Sequence, residues 1–144
     1  MSKVEEFLSA SEEKEIIEAI RVAEKNTSGE LRVHIEATSE KEHFDRALEV
    51  FYYLEMDKTK DSNGVLIYVA VHDKKFVIYG DEGINQVVSK DFWNTTKDVM
   101  QNHFKNGNFK QGIVDGILKA GEELKVHFPW KTDDENELSN EISK

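Results

Sequence analysis

Two clusters of oxygen-bearing side chains flank one apolar stretch of this chain. Asp61, Ser62 and Asn63 precede Gly64 and the run Val65 to Val71; Gly80, Asp81, Glu82 and Gly83 follow the run Phe76 to Tyr79. Carboxylates and carboxamides are hard donors. With no sulfur or imidazole among them, the chemistry they suit is coordination of a hard divalent cation, calcium first and magnesium second. If residues 64–71 and 76–80 pair as a hairpin, the entry to one strand and the exit from the other share one end. Strands lie about 4.8 Å apart, so Asp61 and Asn63 come within side-chain reach of Asp81 and Glu82. The same residues also have a local reading. Asp61 and Asn63 can form an Asx-type turn, and Asp81 and Glu82 can cap a short helix beginning near Gly83. The spacing leaves both open. An EF-hand is excluded: with Thr59, Asp61, Asn63 and Gly64 on its first six positions, Ala70 falls where a bidentate glutamate is required.

The opposite rim offers a rival position. The first strand runs into Thr38 to His43, and the hairpin turn carries His72 and Asp73. Ligands of open α/β sheets favour the carboxyl ends of parallel strands, which is this rim. The Asp61/Asp81 rim ranks first because hairpin geometry enforces its convergence, whereas the other depends on strand order.

Other chemistries lack their residues. There is no nucleophile elbow, P-loop, HExxH or GxGxxG pattern. The five histidines (34, 43, 72, 103 and 127) show no paired ligand spacing and read as surface or edge residues. The absence of cysteine removes disulfides, thiolate metal sites and a thiol nucleophile.

The surrounding pattern says what must position the acidic loops. Ser11 reads as the N-cap of a helix carrying Ile16, Ile17, Ile20 and Ala23, which "NTSGE" ends. "ELRVHIEA" alternates, with Leu31, Val33, Ile35 and Ala37 on a dry face and Glu30, Arg32, His34 and Glu36 on a wetter one, a pattern of a strand near a sheet edge. Residues 40–59 read as a helix with Phe44, Ala47, Leu48, Phe51 and Leu54 as its stripe. "VLIYVAV" is apolar on both faces and belongs at a sheet centre with helices above and below. "HDKK" is a turn and "FVIYG" the returning strand. Two long helical patterns follow, "KDFWNTTKDVMQNHF" and "FKQGIVDGILKAGEELKVHF". Gly107, Gly112, Gly116 and Gly121 in the latter region imply close packing on the sheet or the preceding helix. Strand–helix–strand predicts a right-handed parallel crossover, so the expected fold is an α/β, three-layer α/β/α sandwich with a small mixed sheet. One domain is expected over residues 1–130; 131–144 read as an acidic, exposed and flexible tail, with five acidic residues and one lysine between 132 and 144. Trp130 reads as exposed.

Composition bounds the partners. The chain has 144 residues, 38% hydrophobic and 33% charged, with a formal net charge of −10. That charge disfavours nucleic acid and anionic membrane surfaces. No window approaches the ~20 apolar residues of a membrane span, and the N-terminus lacks a signal-peptide core. A soluble, cytoplasmic chain without membrane insertion is the expectation.

The stretches "TSGELRVHIE", "DSNGVLIYVAVHDKKFVIYGDEGI", "DFW" and "HFKNGNFKQGIVDGI", in that order and spacing, resemble the TPM domain, a family named after thylakoid-lumen, photosystem-associated and receptor-modulating members. The resemblance spans most of residues 11–128 and is closest to short soluble bacterial members. It implies an α/β/α sandwich, divalent-cation binding (calcium in particular) and, by a plant lumenal member, acid phosphatase activity. It places the family's acidic loop positions on Asp61, Asn63, Asp81 and Glu82, with Asp91 as a further candidate. The resulting expectation is a non-catalytic, calcium-binding module that acts on a protein partner, with metal-assisted phosphatase activity at the same rim as the alternative.

Overall fold

A computed structural model describes residues 8–130 and 142–143. Helix α1 (Ala10–Asn26) is capped by Ser9, two residues before the expected cap. Ser9 accepts from the Glu12 N–H at 3.1 Å, and the Glu12 carboxylate accepts from the Ser9 N–H at 3.0 Å. That reciprocal pair satisfies two orphan donors, which Ser11 cannot do. Strand β1 (Glu30–Glu36) follows, then α2 (His43–Tyr53), β2 (Gly64–Ala70), β3 (Lys75–Gly80), a short α3 (Glu82–Asn85), α4 (Asn94–Lys105) and α5 (Phe109–His127). The expected helix over 40–59 is shorter than its pattern. It starts at His43 behind a Glu42 cap and stops at Tyr53; Glu55 turns left-handed at φ 57°, and a 3₁₀ turn takes Met56–Lys58.

The sheet has three strands in the order β1-β2-β3, with β1 parallel and β3 antiparallel to β2. Every residue of β2 is buried, as expected of a strand apolar on both faces. Val65, Ile67 and Val69 face one side, where α1, α4 and α5 supply Ile16, Ile20, Met100, Ile113, Ile117 and Leu124. Leu66, Tyr68 and Ala70 face the other, against Ala47, Val50 and Phe51 of α2 and against Met56. Helices therefore cover both faces, giving the three-layer α/β/α sandwich.

Within the stripe expected for α2, Phe44 is 47% exposed and Val50 is buried in its place. The α5 glycines pack against helices: a Cβ on Gly112 would lie 2.5 Å from Phe104, on Gly116 2.6 Å from Met100, and on Gly121 2.8 Å from the Ala23 Cβ. Trp130 is 43% exposed. Among the described residues no helix is long and apolar enough to cross a membrane.

Most of the expected tail, 131–141 and Lys144, lies outside the described residues. Ile142 and Ser143 depart from the expectation of an exposed tail: both are half-buried, and Ser143 pairs with β1.

Candidate functional site

The hairpin register joins the two acidic loops. Val65 pairs with Gly80, so the chain entering β2 lies beside the chain leaving β3. The Asp81 N–H donates to the Gly64 carbonyl and the Gly83 N–H to the Ser62 carbonyl, both at 2.9 Å. Contact is so close that a Cβ on Gly83 would sit 2.4 Å from the Asp61 carbonyl oxygen and 2.6 Å from that of Ser62. Only a residue without a side chain fits there. Ser62 itself is left-handed, at φ 50°.

The five candidate ligands are not equivalent. Asp81 is 7% exposed. One of its carboxylate oxygens accepts from the Glu82 N–H at 2.8 Å and caps α3. The other, Oδ2, is buried without a hydrogen-bond partner. Burial pushes the carboxyl pKa up; the Glu82 N–H opposes this, and the negative charges of Asp57 and Glu82 add to it. Glu82 and Asp61 are exposed. Asn63 is buried and turned inward: its Nδ2 donates to the Ser28 carbonyl at 3.2 Å, its N–H donates to Thr59 Oγ1, and its carbonyl accepts from the Glu30 N–H. It brackets the starts of β1 and β2. Asp91 is exposed in the turn before α4, its carbonyl accepting from the Asn94 N–H at 3.0 Å. Its loop comes near through Trp93, whose Nε1 lies 3.5 Å from where a Gly80 Cβ would stand. Among the described residues, no three His, Cys, Asp or Glu side chains close on one metal position. The unpartnered Asp81 oxygen leaves one buried hard donor open at this rim. An ion there would need backbone carbonyls, water and the neighbouring carboxylates Asp57, Asp61 and Glu82 to complete its shell. Asp57 is missing from the sequence reading because it reaches this rim only through the Glu55 turn.

Strand order stitches the opposite rim as well. Asp73 accepts from Thr38 Oγ1 at 2.7 Å and from the Ser39 N–H at 3.0 Å, and its Oδ2 lies 2.9 Å from His43 Nε2. The hydroxyl, the imidazole and the N–H hold its pKa down at about 2. Every oxygen of this carboxylate is engaged, so it ties the β1–α2 loop to the hairpin turn.

A third cluster had no signal in the sequence. His34, expected on a surface or edge, is 6% exposed and stacks on Tyr68 with ring centroids 5.8 Å apart. Its Nε2 lies 3.0 Å from Glu36 Oε1. Arg46 reaches both oxygens of Glu36, at 2.9 Å through Nη2 and 3.1 Å through Nε, and the Tyr68 hydroxyl donates to Oε2. Burial pushes the Glu36 pKa up, but hydrogen bonds from Arg46, Tyr68 and His34 outweigh it and leave it at about 2.

A family model described as the TPM domain matches residues 1–123. Among solved structures, the chain is similar to the BA42 protein of the psychrophilic bacterium Bizionia argentinensis, at 68% identity and TM-score 0.93, over 100% of this chain and 99% of that one. The N-terminal domain of a protein from P. gingivalis aligns at 18% identity and TM-score 0.70 over 85% of this chain and 79% of that one. The N-terminal domain of the cg2496 protein from Corynebacterium glutamicum aligns at 7% identity and TM-score 0.65 over 95% and 84%. The last two are likenesses of fold. No curated protein matches.

Proposed function

Because the chain belongs to the TPM domain family, we propose that its acidic rim binds a divalent cation, calcium ahead of magnesium, and presents that rim to a protein partner. The observation that carries this reading is Asp81 Oδ2, a buried carboxylate oxygen without a hydrogen-bond partner, crowded by the charges of Asp57 and Glu82. An unpartnered buried charge costs several kcal/mol, and a hard cation removes that cost. Asp81 is the central ligand, with Asp57, Glu82, Asp61 and backbone carbonyls around it. Asn63 holds the loop from behind, and Asp91 sits at the periphery.

The backbone contact between Gly83 and the 61–62 carbonyls makes the rim one body. Charge neutralised at Asp81 is therefore felt by both loops, and a partner meets a surface whose shape depends on the ion. The test is a calcium titration of the chain followed by amide NMR. Shifts should concentrate on residues 57–64 and 80–86 and vanish in Asp81→Asn. A spectrum unmoved at millimolar calcium refutes the reading. Hydrolysis of an aryl phosphate that needs added metal and is lost in Asp81→Asn would replace it with a phosphatase at the same rim.

A further inference from the structure

The parallel register directs the backbone groups of Leu31, Val33 and Ile35 away from β2, so β1 is an edge strand whose outer side faces no other strand of the sheet. Two features cap that edge. The Leu31 N–H donates to the buried Glu24 carboxylate at 3.2 Å. Further along, Ser143 adds itself in parallel: its N–H donates to the Val33 carbonyl and its carbonyl accepts from the Ile35 N–H, each at 2.8 Å. Ile142 packs onto the large apolar core beside it. Main-chain pairing to a sheet edge with side chains seated alternately is how extended peptides are recognised.

The seat is selective at one position. His34 Nδ1 lies 2.9 Å from Ser143 Oγ. Its other nitrogen faces Glu36, which Arg46 holds as an acceptor-only carboxylate. The ring proton therefore belongs on Nε2, and Nδ1 is left to accept from a hydroxyl. Beyond Ser143 opens a cleft of about 720 Å³ lined by His34, Arg46, Val50, Tyr52 and Tyr53. Tyr53 is 85% exposed and Tyr52 53%. Exposed tyrosines next to an open strand edge suit a peptide longer than the one seated there.

We propose that the outer edge of β1 is a strand-addition site for an extended partner peptide carrying an aliphatic residue followed by serine or threonine. The chain's own Ile142–Ser143 holds the site until such a peptide displaces it. Residues 131–141 tether that pair to the domain, and tethered segments compete at effective concentrations of about a millimolar. A free peptide therefore binds weakly until the tail is released. This site is independent of the cation reading, since it uses a different strand and different residues.

The probe is a synthetic peptide of residues 136–144, titrated into the whole chain, into Ser143→Pro, which has no N–H for Val33, and into a variant lacking 142–144. Amide NMR reads the Val33, His34 and Ile35 signals. Both variants should bind the peptide at least about tenfold more tightly than the unaltered chain, with shifts centred on those three residues. A peptide bearing Ser143→Ala should bind about 2–10-fold more weakly, the range for one hydrogen bond. That difference should disappear in His34→Ala. Absence of binding, or shifts elsewhere, overturns the proposal. So does loss of folding in both variants, which would make residues 142–143 an integral part of the core. Sedimentation of the unaltered chain as a tail-exchanged dimer would also overturn it, because the occupant would then be a second copy.

Discussion

Glu24 is the buried acid whose titration offers the sharpest check on this packing. It lies in the last turn of α1 at 3% exposure; Oε2 receives the Leu31 N–H, and Oε1 is buried without a partner. Burial pushes its pKa up from 4.5 to about 7; the Leu31 N–H opposes that and the Glu30 charge adds to it. The unfolded chain releases this proton near 4.5, whereas the folded chain holds it until about 7. Between those values the folded state binds more protons, so stability falls as pH rises and levels off above 7. The gap of about 2.5 pH units, at 1.36 kcal/mol each, sets a loss of about 3 kcal/mol. That is a sizeable part of the 5–15 kcal/mol typical of a domain. Glu24→Gln keeps an oxygen for the Leu31 N–H and removes the titration. In urea denaturation the variant should match the unaltered chain at pH 4.5 and exceed it at pH 8 by about 3 kcal/mol. That corresponds to a midpoint shift of about 1–3 M. The subtraction cancels the titrating groups that do not interact with Glu24. An equal difference at both pH values, or a weaker variant at pH 8, refutes the assignment.

Glu36 should behave in the opposite sense. Its folded pKa of about 2 lies below the ordinary 4.5, so the stability it contributes is complete above 4.5 and is lost as pH falls toward 2. Glu36→Gln should therefore cost about 3 kcal/mol at pH 7 and little at pH 2, measured by the same denaturation series. Gly83→Ala should lower stability by about 1–3 kcal/mol, because its Cβ would meet two backbone carbonyls that cannot move aside; an unchanged melting temperature would deny that the loops touch. Gly116→Ala should cost about 1–2 kcal/mol: its Cβ would lie 2.6 Å from Cγ and Sδ of the fully buried Met100, a clash that the roughly 1 kcal/mol helix preference of alanine offsets only in part. Gly121→Ala meets Ala23, including its Cα, and should cost about 1–3 kcal/mol. Calcium at 100 times its dissociation constant should add about 2.7 kcal/mol to the unaltered chain. Asp81→Asn should abolish that gain, and without metal it should be the more stable protein at neutral pH, because it removes a buried like charge while keeping the α3 cap.

What could be read from the sequence is what short-range pattern determines. A strand apolar on both faces must be central, and β2 is. The alternation in "ELRVHIEA" gave an edge strand correctly, yet its wet face misled at His34 and Glu30, which are both buried. Period-two patterning reports side-chain polarity, and here polarity is satisfied inside: His34 by Glu36 and Ser143, Glu36 by Arg46 and Tyr68. His34 and Glu36 stand two positions apart, but Arg46 and Tyr68 lie 10 and 32 positions from Glu36 and Ser143 lies 109 from His34, so no local window brings the whole cluster together. The acidic rim divides in the same way. Hairpin pairing placed its loops side by side, while the inward turn of Asn63 depends on Ser28, 35 positions away.

The edge of β1 and the acidic rim meet through Asn63, and this ties the two proposed sites to one piece of construction. Its carbonyl accepts from Glu30 and its amide holds Ser28, so the start of β1 is fixed to the loop carrying Asp61. Glu24 then caps the next outward N–H of β1, at Leu31. A cation bound at Asp81 would stiffen the 61–64 loop and with it the first residues of β1, leaving the Ser143 seat four residues further along the strand. If that rigidity is transmitted, calcium should slow amide exchange at Leu31 and Val33 as well as at the rim; exchange at Ile35 should respond instead to Ser143→Pro. Slowing confined to residues 57–64 and 80–86 would mean that Asn63 anchors the loop without passing order to the strand, and that the two sites work separately.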